Sequence, residues 1–137
     1  MSVLGNTITV GGGGGGSAPT VVVDNTTSTA SGSSAVFIEK TYTVSGNGVV
    51  VVFAASYSDD TSAYGTWEAQ IYHNNALIMG EGSRFAANIA RPMGASTSAP
   101  ISVLNGDTIK VSVQNTKDGT KTIYRRLLCF GCTVSAS

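Results

Sequence analysis

The chain has 137 residues, of which 42% are apolar and only 12% charged, and its eight basic and eight acidic side chains cancel. That length suits one domain with a core of its own, not two. Abundant Gly, Ser, Thr, Val and Ala beside scarce Leu, Glu and Lys exclude a helical bundle and predict short strands joined by tight turns.

In chain order, the strand-like segments NTITV (6–10) and TVVVDN (20–25) flank VGGGGGGSAP (10–19), and NTTSTASGSS (25–34) follows. The last of these cannot form a core, so residues 1–34 are expected to be a Gly/Ser/Thr-rich arm or connector. Gly11, Gly12, Gly13, Gly14, Gly15 and Gly16 satisfy G-x-G-x-x-G trivially. A pyrophosphate loop needs the amino end of a following helix, whereas SAPTVVVDN is β-prone. Six glycines lose much entropy on ordering, and they are expected to attach the head to something outside it.

From residue 35 strand signals recur at regular spacing: AVFIEKTYTV, the turn SGNG, VVVVFAASYS, the loop DDTSAYG, TWEAQIYH, the turn NNA and LIMG. After Gly82 come RFAANIA, a loop broken by Pro92 and Pro100, ISVL, the turn NGD, TIKVSVQN, TKDGT and KTIYRRLLCFGCTV. About eight strands with this punctuation predict an all-β antiparallel sandwich, a jelly roll, over residues 35–137, carried by an extended N-terminal arm.

Strand parity adds more. In TIKVSVQ, Ile109, Val111 and Val113 share one face and polar residues the other; TWEAQIYH likewise sets Trp67, Ala69 and Ile71 against Thr66, Glu68 and Gln70. Two strands are apolar on both faces. VVVVFAA has Val49, Val51 and Phe53 on one side and Val50, Val52 and Ala54 on the other. The last strand opposes Ile123, Leu127 and Cys129 to Tyr124, Leu128, Phe130 and Val134. A sandwich dries only one face of each sheet, so a second dry surface is expected from association of copies. The candidate interface residues are Val50, Val52, Tyr124, Arg126, Leu128 and Phe130. Arg125 and Arg126 lie on opposite faces of the last strand; either one is near a buried region and needs a carboxylate or carbonyl partner, with Glu39, Glu68 and Glu81 as candidates, or both reach water near a strand end.

Charge is split along the chain. Residues 1–83 hold Lys40 against six acids, and residues 84–137 hold seven bases against Asp107 and Asp118. The acidic half would cancel the field that a polyanion needs, so complementary protein contacts are expected and nucleic acid is not. The start MSVLGNTITV lacks the basic and apolar regions of a signal peptide, and VVVVFAA is too short to cross a membrane as a helix.

Sites for chemistry are sparse. His73 is the single histidine and sits at the hairpin tip YHNN, where a solvated turn residue is expected and not a catalytic base. Cys129 and Cys132 form one CFGC, half of a tetrahedral zinc set, and are read as structural thiols, with a local or intersubunit disulfide as alternatives. Asp59 and Asp60 match no calcium loop and are read as a solvated turn. No catalytic residue, cofactor or metal is expected. Tyr57, Tyr64, Trp67 and Tyr72 cluster around one predicted loop and its strand. Trp67 falls on the apolar face, which leaves Tyr57 and Tyr64 as candidate sugar contacts.

GNGVVVVFAAS, WEAQIYHNNALIM, LNGDTIKVSV and the closing strand with Phe130-Gly131 together resemble the trimeric jelly-roll heads of the tumour-necrosis-factor and complement-one-q class, forms of which occur in bacteriophage fibres. In that class GD followed by alternating apolar residues opens a late strand, matched by Gly106, Asp107, Ile109 and Val111. The resemblance implies a homotrimer whose inner sheets meet at a threefold axis. The chain departs from the class in its fewer aromatics and in the two arginines of the last strand. With the polyglycine arm, this layout leads to the expectation of a noncatalytic bacteriophage virion protein made in the host cytoplasm. Its partners would be other capsid or tail proteins, as a decoration protein or fibre tip; the alternative is a module binding host-surface carbohydrate, and a small hydrolase ranks behind both.

Overall fold

The structure, a computed structural model, describes residues 6–9, 18–29, 37–58, 65–85, 93–115 and 120–137. These form ten strands: β1 (Asn6–Thr9), β2 (Thr20–Thr29), β3 (Phe37–Ser45), β4 (Gly48–Ser58), β5 (Gly65–His73), β6 (Ala76–Phe85), β7 (Met93–Val103), β8 (Thr108–Asn115), β9 (Thr120–Phe130) and β10 (Thr133–Ala136). All the pairings are antiparallel, in two five-stranded sheets ordered β1-β2-β9-β4-β7 and β10-β3-β8-β5-β6. The pairs β2/β9, β3/β8, β4/β7 and β5/β6 nest inside one another, as when one long hairpin is rolled up. That nesting is the jelly roll, with β1 and β10 added at the edges.

The core lies between the sheets. Val50, Val52, Ala54, Ile101, Ile123, Leu127 and Cys129 from one sheet meet Tyr42, Val44, Ala69, Ile71, Ile109, Val111 and Val113 from the other, all buried. The alternation read in TIKVSVQ and TWEAQIYH is therefore present where side chains are described, Trp67 lying outside them.

The arm boundary expected at residue 34 requires correction. β2 pairs with β9 over ten residues, from Thr20↔Cys129 to Thr29↔Thr120. Val22 and Asp24 are buried. The alternation Val22, Asp24, Thr26 turns one face of β2 into the core, so residues 20–29 belong to the sandwich. The glycines 11–16 proposed for attachment lie outside the described residues.

Arg125 finds a hydrogen-bond partner in β2, the Thr26 hydroxyl, and lies near Asp24 without a bond to it. Asp24 stands directly opposite Arg125 in the ladder, and both are about 1% exposed. Asp24 Oδ2 accepts the Tyr42 hydroxyl at 2.7 Å and pairs with Lys40, both from β3. Arg125 Nη1 donates to Thr26 Oγ1 at 2.8 Å. Burial, reinforced by the hydrogen bond to Asp24, pushes the Tyr42 phenol well above its ordinary range, and burial lowers the Arg125 guanidinium from its own. Asp24 Oδ1, Arg125 Nε and Ser56 Oγ are buried without a hydrogen-bond partner among the described residues, so this cluster tolerates little further loss. The expected carboxylates lie elsewhere. Glu39 is on the outer face of β3 near Lys110, and Glu68 accepts from Gln70 on β5; the Glu81 side chain is outside the described set.

One end of the sandwich is tied by its turns. Asn74 and Asn75 have φ of 47° and 66°, as a two-residue hairpin requires. Asp107 Oδ2 accepts from the Leu104 amide at 2.9 Å and lies 2.8 Å from His73 Nε2, while Oδ1 accepts from Asn74 at 2.9 Å. The Leu104 amide, Asn74 and His73 hold the Asp107 carboxyl down at about 2. His73 is thus the last residue of β5, beside the turn and half-buried rather than solvated, with a carboxylate partner. Beside it Gly48 packs so closely that a Cβ would sit 1.9 Å from the Phe130 carbonyl oxygen. Gly131 turns the chain from β9 into β10 with φ of +75°.

Candidate functional site

The outer faces of the two sheets differ in kind. On β3, β5 and β8 the outward residues form a polar mesh. Ser112 donates to Glu39 at 3.3 Å, Tyr72 donates to Gln70 at 2.7 Å, and the Lys110 ammonium lies 4.3 Å from the Tyr72 ring centroid. On β2, β9 and β4 the outward residues are mostly apolar.

Strand register orders that second face into rows. Phe130 pairs with Val49. The next row is Val21, Leu128, Val51 and Pro100. Together with Val23 these form a dry end, with Val49 37% and Phe130 42% exposed. Farther along, the rows Val23–Arg126–Phe53–Ser98 and Asn25–Tyr124–Ala55–Ser96 mix aromatic, hydroxyl and cationic groups. Here the small Ala55 leaves a concavity of about 390 Å³, lined by Phe53, Ala55, Ser96, Ser98, Tyr124 and Arg126 among others.

Arg126 is held at the rim. Its Nη1 donates to Asn25 Oδ1 at 2.6 Å and to the Arg125 carbonyl at 3.0 Å, and its Cζ lies 5.8 Å from the Tyr124 ring centroid. Both acceptors are neutral. Among the described residues no carboxylate pairs with it.

Of the residues expected at a copy-to-copy interface, Tyr124, Arg126, Leu128 and Phe130 lie together on this outer face. Val50 and Val52 do not: both are fully enclosed in the core, and the β4 residues that face outward there are Val49, Val51 and Phe53. Four valines cannot show which side faces inward. The clue was Ala54 and Ser56, small residues on the side that must leave volume for the buried Arg125. Tyr57 is 46% exposed on the same outer face; Tyr64, Asp59 and Asp60 lie outside the described residues. Sequence reasoning missed Ser96 and Ser98, on a segment that had been read as loop.

Cys129 and Cys132 are free and buried. Burial, with Cys132 adjacent, pushes the Cys129 thiol up to about 12, which suits inert core thiols. Among the described residues no group of three or more His, Cys, Asp or Glu could hold a metal. No described helix is long and apolar enough to cross a membrane.

The described residues therefore define an antiparallel β-sandwich of jelly-roll order with one mesh-like and one largely apolar outer face. No protein-family model and no curated protein matches the chain. Among solved structures it is similar to Eiger TNF from S. frugiperda, at 16% identity and TM-score 0.38 over 63% of this chain and 60% of that one. It is also similar to dimeric latent PorU from Porphyromonas gingivalis, at 13% identity and TM-score 0.40 over 80% of this chain and 10% of that one. A family 35 carbohydrate binding module from Clostridium thermocellum aligns at 13% identity and TM-score 0.32 over 93% and 89%. The chain thus spans less than two thirds of the first two. Likeness at this level says nothing of activity, and the jelly-roll order rests on the strand pairings above.

Proposed function

We propose that this chain is a noncatalytic structural protein of a bacteriophage particle. Its head self-associates as a homotrimer through the dry end of the β2–β9–β4 face, and the segment before β2 attaches it to other virion proteins. The observation that carries the self-association is the pair of adjoining apolar rows, Phe130 and Val49 beside Val21, Leu128, Val51 and Pro100. Soluble monomers rarely leave such a continuous patch in water, and burying each large side chain is worth about 1.5–3 kcal/mol. The glycine run and the Ser/Thr-rich stretch support the attachment role, and capsid decoration and fibre tip are equally compatible placements.

The placement is tested by probing purified particles with an antibody against a short tag added after the exposed Ser137. Label at a regular position on the particle is expected; its absence from particles of a phage expressing the chain would refute the virion role. Self-association is tested separately by chemical cross-linking of the purified chain, where a three-copy band is expected and a lone monomer band refutes it.

A further inference from the structure

The amphipathic half of the same face, next to the apolar rows, has the composition of a ligand site. We infer that the concavity over Ala55 binds a carboxylate-bearing pyranose, an acidic sugar unit. Phe53 and Tyr124 stand on two sides of Ala55, giving aromatic surface for the C–H face of a sugar ring. Ser96 and Ser98, both exposed, line the side toward β7 and offer hydroxyls that both donate and accept.

Arg126 supplies the charge selection. Its guanidinium is positioned by Asn25 and a backbone carbonyl, yet it has no carboxylate partner among the described residues. Among those residues nothing hydrogen-bonds its Nε or Nη2, the edge that forms a fork for a carboxylate. A volume near 390 Å³ falls in the range of about 300–1,000 Å³ typical of small-molecule sites. A neutral sugar would leave the guanidinium unpaired, and a bare carboxylate would leave the aromatic surface uncovered; a ligand with both parts satisfies both. The site begins one row beyond the apolar rows proposed for the trimer, Phe53 and Arg126 following Val51 and Leu128, and extends away from them to Tyr124, Ala55 and Ser96.

The test is a chemical-shift titration of the full chain with glucuronate, glucose and acetate, with the oligomeric state read by sedimentation on the same samples. Saturable glucuronate binding with Kd on the order of 1 mM is expected, with glucose and acetate at least about tenfold weaker. Arg126→Gln should bring glucuronate down to the level of glucose. Ala55→Leu, which fills the concavity and leaves Arg126 in place, should weaken glucuronate by a similar factor, and thermal melts of both variants check that they fold. Equal binding of glucuronate and glucose, equal binding of acetate, or wild-type affinity in a folded Arg126→Gln or Ala55→Leu chain would each overturn the assignment. So would failure of glucuronate to saturate at about 50 mM, far above that expected Kd.

Discussion

The two outer faces of this sandwich are built from similar numbers of outward-pointing side chains and end in opposite states. On β3, β8 and β5, Glu39, Ser112, Gln70, Tyr72 and Lys110 satisfy one another, so that face is complete in water. On β9 and β4, Phe130, Val49 and Phe53 stand 42%, 37% and 47% exposed, and nothing on the chain covers them among the described residues. On the sheet that carries the mesh, the large exposed apolar side chains among the described residues are Leu77, Ile78 and Met79 on its edge strand β6. The lesson is that a strand's wet side is set by what its neighbours present in the same row. Interior charge matters as well: Arg125 takes core volume that larger side chains would otherwise fill.

The largest effect on this contrast should come from deleting residues 1–34, which removes β2 and leaves Arg125 and Leu127 uncovered. Loss of cooperative unfolding in calorimetry is expected, whereas deleting residues 133–137 from the edge of the mesh-faced sheet should leave a cooperative transition. Next is Asp24→Ala, which strips Lys40 and Tyr42 of their buried carboxylate and removes the negative charge near Arg125. Denaturant titration should show a loss of about 3–5 kcal/mol, against about 1–2 kcal/mol for Tyr42→Phe, which removes one hydrogen bond.

The double variant Val49→Lys, Phe130→Ser separates the faces directly. It should weaken association about a hundredfold or more by light scattering with the fold retained, while Thr43→Lys on the mesh face should leave association unchanged. Gly48→Ala, with its Cβ directed at the Phe130 carbonyl, should cost about 1–3 kcal/mol of stability.

The smallest effect concerns the turns. The Asp107 carboxyl titrates near 2 in the folded chain against an ordinary 3.8, so its contribution is present above the ordinary value and is lost as pH falls toward 2. Hydrogen exchange at the Leu104 amide, corrected for the intrinsic acid dependence, should lose protection over that window, and Asp107→Asn should flatten the change.

Much of this was legible in the sequence. Alternation in TIKVSVQN placed Ile109, Val111 and Val113 inside, and the doubly apolar character of β4 and β9 announced an apolar outer face. Two features were hidden. Val49–Val52 reads the same in either parity, so which valines face outward depended on which side of β4 packs against the facing sheet. TVVVDN was taken into the arm because the polar stretch after it forms no core, yet its Asp24 shares the inward face with Val22. A buried arginine in the last strand was the signal that a carboxylate had to come from somewhere, and β2 was the strand that closes beside it. Ser96 and Ser98 could not be assigned to a site from sequence, because only the β4–β7 register brings them across from Phe53 and Ala55.

The most direct test is sedimentation equilibrium of the full chain at micromolar concentration. Three copies of the 13.9 kDa chain moving as one species, and reverting to single copies in the Val49→Lys, Phe130→Ser variant, is the predicted result. A stable single copy of the unaltered chain under those conditions would contradict it.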